Sequence, residues 1–375
     1  MTAPLRVLLV AGEPSGDLHG AALVRALRRR VPELDVSGIG GECLRAAGMR
    51  ILIDTASVTT MGLVETFGTL GRLLRAYRTL VRFLDTQRPQ LVILIDYPEF
   101  NLLLARQAKR RGIPVFYFIA PQVWAWRAGR VRKIARRVDK MAVVLPFEPA
   151  LYNNGRNLAE FIGHPLLDVV HPTRPREATF AAYGLDPSRP LLALLPGSRK
   201  KELRYLVRPL TEAAEMLASD GWQPVICLGP GLGQTDLVAG LEGKPLTIPF
   251  VQSDTYNVVA AADAAVVASG TATLETALLG CPMVIVYRVS PLTYWLARRL
   301  VRVDWIGMPN IIMNRLVFPE LIQEAVTADA IVREVRGLAA RRGEVGGALV
   351  GLRERLGAPG AAERAAALAA ELAGA

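Results

Sequence analysis

Leu191-Leu192-Ala193-Leu194-Leu195-Pro196-Gly197-Ser198-Arg199 holds five apolar residues in a row, then a proline, two small residues and a base. Apolar side chains without alternation predict a strand buried on both faces, the habit of a parallel sheet. The Pro-Gly-Ser turn ends that strand, and the charged run behind it predicts a helix at Glu202 to Val207. The same unit recurs on both sides. Downstream, Val225 to Leu228, Leu246 to Pro249, Ala264 to Ala268 and Met283 to Val286 read as strands; upstream, Leu5 to Ala11, Val36 to Ile39, Leu91 to Ile95, Val115 to Ile119 and Met141 to Val144 do so. Helical stretches fall between the upstream strands at Leu18 to Arg30, Leu63 to Asp85 and Leu102 to Arg111. Such alternation defines an α/β protein with parallel sheets. Pro165, Pro172, Pro175, Pro187 and Pro190 interrupt it, which predicts a linker over 171–188 between domains 1–170 and 189–350. The remainder, 351–375, carries an Ala-rich helix at Ala361 to Ala373 expected to pack back on the N-terminal domain. Two open, Rossmann-like sheets joined in this way are expected to face a cleft.

Composition narrows the partners. The chain has 375 residues with 45 Lys+Arg against 34 Asp+Glu, a net charge of +11, and 51% hydrophobic against 21% charged residues, which excludes bulk disorder. Arginine supplies 39 of the 45 bases; a GC-rich coding sequence would produce that ratio, so the distribution is more informative. Eleven bases and a single acid, Asp139, lie between Arg106 and Lys140. The longest uncharged runs, Gly112 to Trp126 and Gly221 to Thr235, span 15 residues each. A membrane-crossing helix needs about 20 apolar residues, so none is expected. Three scattered cysteines and three separated histidines predict neither a disulfide framework nor a metal site, and a reducing cytoplasm is the expected compartment.

Ligands of open α/β sheets bind beyond the carboxyl ends of strands, and four stretches in that position carry chemistry. Gly12-Glu13-Pro14-Ser15-Gly16-Asp17 follows the first strand; its small Ser15 and Gly16 could bring backbone N–H groups to a sugar, or Ser15 or Asp17 could cap the next helix. Asp96 follows Leu91 to Ile95 and is placed either as a general base or as a helix cap. Gly197, Ser198 and Arg199 combine close backbone approach, a helix N-terminus and a guanidinium fork, a diphosphate signal. In Ala268-Ser269-Gly270-Thr271-Ala272-Thr273-Leu274-Glu275 a second small-residue turn precedes a helix, with Glu275 one turn inside it, either a capping partner or an acceptor for ribose hydroxyls. No acidic metal pair accompanies the phosphate turn. Neither a metal nor a cofactor is expected.

The stretch from Leu63 repeats apolar residues by fours and threes through Phe67, Leu70, Leu74, Tyr77, Val81 and Leu84, with Arg72, Arg75, Arg78 and Arg82 alongside. It reads either as a core-facing helix or as an interfacial one whose Leu63, Phe67, Leu70, Arg72, Leu74 and Arg75 meet lipid. A similar mixture recurs at Trp124 to Lys140 and at Tyr294 to Arg302. Nucleic acid is not expected, because no recognition signature accompanies the bases.

The motifs GEPSGD (12–17), TMGLVE (60–65), DYPEFN (96–101), APQVWAWR (120–127), LPFE (145–148), FIGHPLLD (161–168), LLPGSR (194–199), ASGTATLE (268–275), MPN (308–310) and PELIQ (319–323) resemble, in order, those of the lipid-A-disaccharide synthase family. The resemblance implies a glycosyltransferase B fold and an inverting, metal-independent transfer. Its substrates would be UDP-2,3-diacylglucosamine and 2,3-diacylglucosamine 1-phosphate, joined into a β-1,6 disaccharide. It implies Asp96 as base, Asn310 and Gln323 as further pocket residues, and a peripheral enzyme on the cytoplasmic face of the inner membrane, compatible with a homodimer.

Overall fold

The computed structural model describes residues 4–57, 67–121, 129–300 and 303–375. The chain forms two units, Met1–Asp168 with Leu356–Ala375, and Val169–Arg355. The first contains strands β1 (Leu5–Ala11), β2 (Leu34–Gly40), β3 (Arg50–Asp54), β4 (Leu91–Ile95), β5 (Val115–Phe118), β6 (Lys140–Val143) and β7 (Ala159–Phe161). They pair in parallel in the order β3-β2-β1-β4-β5-β6-β7. The central strands β1, β4 and β5 are apolar on both faces because helices cover both; every residue of β4 is buried. Strands β3 and β7 escaped the sequence reading. They are edge strands, β3 with a base and an acid at its ends and β7 three residues long, so neither presents an apolar run.

The helix Pro14–Arg30 packs against the 361–373 helix, and the chain's return is held by FIGHPLLD. Asp168 accepts hydrogen bonds from the N–H groups of Gly360 (2.6 Å) and Ala361 (3.3 Å), capping the incoming helix. Leu356 O accepts from His164 N at 2.9 Å, and the Arg364 guanidinium donates to Ile162 O at 2.8 Å. Gly163, at φ +77°, admits this passage: a Cβ there would stand 2.8 Å from Ala358 O.

The helix predicted from Leu63 runs over Phe67–Gln87, and Leu63 lies outside the described residues. Its buried line is Ala76, Leu80 and Leu84, with Leu73, Tyr77 and Val81 packed against the same core. Leu74, read as facing either the core or lipid, is 46% exposed beside the exposed Arg72 and Arg75, which goes against the core alternative at that position. A stepwise count of fours and threes drifted off the 100° helical repeat and passed over Leu80.

The second unit contains β8 (Leu191–Leu195), β9 (Gln223–Leu228), β10 (Phe250–Gln252), β11 (Ala264–Ala268), β12 (Met283–Tyr287) and β13 (Glu320–Ile322), paired in parallel in the order β10-β9-β8-β11-β12-β13. The strand expected at Leu246 to Pro249 begins instead at Phe250. Pro245 and Pro249 have no N–H to give to a ladder, although Pro249 O still accepts from Ile226 N at 2.9 Å. The expected linker is also structured and belongs to this unit. It carries a helix at Arg176–Tyr183, and Asn257 Oδ1 accepts from Thr173 N at 2.8 Å, tying the stretch down.

Candidate functional sites at the two sheet switch points

In each sheet the strand order reverses once, and there the loops diverge to leave a crevice. In the first unit the reversal falls between β1 and β4, which brings GEPSGD and DYPEFN side by side. Asp96 and Tyr97 end β4 with two successive left-handed residues, φ +45° and +47°. Such backbone costs about 1–3 kcal/mol per residue and persists only where its surroundings enforce it. Here Asn101, fully buried, donates to Ile95 O (3.1 Å) and Asp96 O (2.7 Å), and Tyr117 OH donates to Asp96 O at 2.5 Å. The Tyr97 ring stacks on Phe100 with centroids 5.6 Å apart and occupies the space a side chain at Gly12 would need, 2.4 Å from that missing Cβ.

The strand end therefore aims one half-buried carboxyl group. Burial, the charge of Glu13 and, less so, that of Glu99 raise its pKa to about 6, against a weaker opposing hydrogen bond from the Tyr97 backbone. At neutral pH it is mostly ionised yet basic enough to take a proton. The rest of GEPSGD divides. Ser15 is exposed in the first helical turn, whereas Gly16 is buried against Ala11 and Ile95. Asp17 caps a neighbouring helix rather than its own: its carboxylate accepts from Gly41 N (2.6 Å), Cys43 N (2.9 Å) and Leu44 N (3.2 Å) at the start of Glu42–Ala46. Burial and the nearby His19 push His164 down to about 4, so both rings serve as neutral polar surface at physiological pH.

In the second unit the reversal falls between β8 and β11 and opens a cavity of about 640 Å³ lined by Gly197, Ser198, Arg199, Gly270, Thr271 and Glu275, among others. The fold thus gathers around one cavity the six residues that the sequence singles out. Gly197 has φ +122°, and a Cβ there would lie 2.3 Å from Glu202 Oε2, so the tight turn requires glycine. Glu202 already accepts from Ser198 N (2.8 Å) and Arg199 N (3.3 Å), closing a capping box on the helix Lys200–Ser219. Those two N–H groups are thus engaged within the chain. In the first turn of the helix Thr271–Leu278 the N–H of Thr273 is taken by Gly270 O at 3.1 Å, while Thr271 and Ala272, whose N–H groups precede any helical carbonyl, line the cavity. The Arg199 side chain is 81% exposed, leaning 3.5 Å from Glu202 and able to swing to a ligand. Glu275 is half-buried, and burial raises its pKa; Tyr256 OH donates to its Oε1 at 3.0 Å, leaving Oε2 for another partner.

Asn310 and Gln323 are not among the residues lining this cavity. Both are buried with their amides satisfied inside the fold. Asn310 Nδ2 donates to Phe318 O (2.8 Å) and Glu320 Oε1 (2.8 Å), and its Oδ1 accepts from Val317 N (2.9 Å) and Phe318 N (3.0 Å). Glu320 in turn accepts from Ile306 N and Gly307 N, both 2.9 Å, and Ser269 Oγ of the cavity wall donates to Ile306 O at 2.9 Å. Asn310 thus acts on the cavity through the loop that props its wall. Gln323, at φ +55°, clasps one residue on both sides: Oε1 accepts from Val289 N (2.7 Å) and Nε2 donates to Val289 O (3.1 Å).

Several lining residues escaped the sequence reading: His171, Thr173, Asp254, Tyr256 and Asn257. Asp254 accepts from Asn257 Nδ2 at 2.6 Å and also from Arg174 and Tyr183. The one available signal was Ser253-Asp254 directly after a short apolar run, obscured by setting that strand four residues early.

Two parallel-sheet α/β units, one aiming a carboxylate and one presenting helix N-termini to a cavity, define the glycosyltransferase B class of architecture. The solved structures agree. The crystal structure of UDP-GlcNAc 2-epimerase from Neisseria meningitidis bound to UDP-GlcNAc matches with a TM-score of 0.65 at 12% identity, covering 98% of each chain. Acinetobacter baumannii MurG matches with a TM-score of 0.61 at 15% identity, covering 98% of this chain and 99% of its own. At such identities the likeness concerns the fold. Sequence comparison is more specific. Residues 7–341 match the family model described as lipid-A-disaccharide synthetase. The lipid-A-disaccharide synthase of Geobacter metallireducens is 45% identical over 379 residues, covering 100% of this chain and 99% of its own, and that of Syntrophus aciditrophicus 48% identical over 372 residues, covering 97% and 96%. The chain belongs to the lipid-A-disaccharide synthase family.

Proposed function

We propose that the chain transfers 2,3-diacylglucosamine from UDP to the 6-hydroxyl of 2,3-diacylglucosamine 1-phosphate. The observation that carries this reading is Asp96, a carboxyl group raised to about 6 on an enforced strand end, in a chain of this family. The Asp96 carboxylate takes the proton of the acceptor hydroxyl as that oxygen attacks the anomeric carbon. The bond from that carbon to the diphosphate breaks on the opposite face, and UDP leaves with the electron pair. Inversion gives the β-1,6 linkage. Arg199 and the N–H groups opening the Thr271–Leu278 helix offset the charge that grows on the leaving diphosphate. The free oxygen of Glu275 accepts from the ribose, with Tyr256 fixing its partner oxygen. Gly197 and Ser198 shape the turn, while Asn310 supports the loop that holds Ser269.

Work on acylated sugars at the cytoplasmic face of the inner membrane follows from the same reading. Among the described residues no helix is long and apolar enough to cross a membrane. The exposed Arg72, Leu74 and Arg75 support contact with a lipid surface instead. Mass spectrometry of products from purified protein with both diacyl substrates is the direct test. Equimolar UDP and tetraacylated disaccharide 1-phosphate are expected. UDP release without disaccharide, or equal turnover of an unacylated donor, would overturn the reading.

A further inference from the structure

The helix Pro291–Leu300 leaves the second unit just after β12, joined to it by Arg288-Val289-Ser290. All six strands of that sheet run parallel, so the helix departs from the edge on which the cavity opens. Its start is anchored. Gln323 clasps the Val289 backbone through both its N–H and its C=O, Ser290 O accepts from Tyr294 N at 2.9 Å, and Ser290 Oγ lies 2.7 Å from Thr293 Oγ1.

Beyond that anchor the helix turns apolar, basic and exposed. Leu292 is 69% and Trp295 50% exposed, and Arg298 and Arg299 are exposed after them. Positions 292, 295 and 299 share one helical face, where the Arg299 guanidinium lies 3.6 Å from the Trp295 ring centroid. From Thr276 to Val303 the sequence holds four arginines and no acid. An exposed leucine and tryptophan on a surface basic helix call for an occupant with both an apolar phase and negative charge. A second copy of this +11 chain would meet that face with like charge, and a nucleic acid would leave Leu292 in water. An anionic bilayer supplies both: tryptophan settles at the headgroup level, and each arginine near the surface is worth about 1 kcal/mol.

We propose that the helix Pro291–Leu300 is a lipid-docking element of the second unit, inserting Leu292 and Trp295 at the headgroup boundary while Arg298 and Arg299 bind anionic headgroups. The inference rests on the functional reading above, because a donor with acyl chains is presented from a lipid phase. Gln323 becomes its positioning residue, holding the helix start on the sheet that binds UDP.

Flotation with vesicles of phosphatidylcholine, alone or mixed with phosphatidylglycerol, tests this on the full chain. The protein is expected to float with the mixed vesicles. Arg298→Gln with Arg299→Gln should lower partitioning ~30-fold, and Leu292→Ser with Trp295→Ser at least as much, both with unchanged cooperative melting. Both double variants floating like the parent would overturn the proposal. A changed oligomeric state on gel filtration with flotation intact would overturn it too, assigning the face to self-association. UDP release from detergent-dispersed substrates should be equal in all three proteins. Its absence from the parent would remove the functional reading and leave the flotation result to be judged separately.

Discussion

At the β1/β4 crevice the backbone is tied, and a side chain carries the chemistry. Asn101 and Tyr117 hold the Asp96 carbonyl so that its carboxyl group is aimed and desolvated. At the β8/β11 crevice the side chains are tied, and in the proposed reaction backbone carries much of it. Glu202 is spent on its own turn and Glu275 is half-engaged by Tyr256, while the helix at Thr271 opens on the cavity with the backbone of Thr271 and Ala272. The difference follows from the two ends of a displacement. A proton must be taken by one group of tuned basicity, whereas a diphosphate spreads charge over several oxygens and is best met by several fixed dipoles. One fold, with its topology repeated, supports both because the switch point fixes position and leaves the loop chemistry free.

Removing the tuned group should break the contrast most. Asp96→Asn is expected to lower kcat ~10³-fold while UDP affinity by calorimetry stays the same. Near-parental turnover would end the general-base role. With Asp96 at about 6, kcat/KM of the parent should fall tenfold per pH unit below that value. The same substitution should reveal the stability given up for function. An acid raised from 3.8 to about 6 binds its proton more tightly folded than unfolded, so it destabilises the fold once pH exceeds that window. The Asn variant should therefore be more stable by about 3 kcal/mol at pH 7, a gain that disappears as pH falls below 3.8.

The second crevice should yield in smaller steps, since its binding is shared. Arg199→Ala is expected to weaken UDP about 30-fold, in keeping with ~2 kcal/mol for a charge-assisted hydrogen bond. Unchanged affinity would remove the arginine from the diphosphate site. Glu275→Gln should weaken UDP about tenfold and leave pyrophosphate binding untouched. An equal loss for both ligands would place Glu275 in support of the turn rather than on the ribose.

Strands were legible wherever burial on both faces left an apolar run, broken only by Arg6 in β1, so β1, β4, β8 and β11 stand where the sequence sets them. Edge strands β3, β7 and β13 were not, because half-exposed or three-residue segments carry no such run. The motifs were legible as motifs, yet their glycines, acids and amides divide by neighbours that no spacing shows. Gly12 makes room for Tyr97, Asp17 caps a helix about 25 residues on, and Asp168 caps the helix that returns from the C-terminus.

By itself, then, the sequence determined two parallel-sheet units, their carboxyl-end turns and the family, because local apolar patterning and short motifs are written residue by residue. Only the tertiary structure decided which polar residues remain available to a ligand. Asn310, Gln323 and Glu202 are chemically as suited to binding as Asp96 or Glu275, but their hydrogen-bonding capacity meets backbone groups brought in from 3 to 34 residues away. A buried polar group must be satisfied by something, and whether that something is the protein or its substrate is settled by packing.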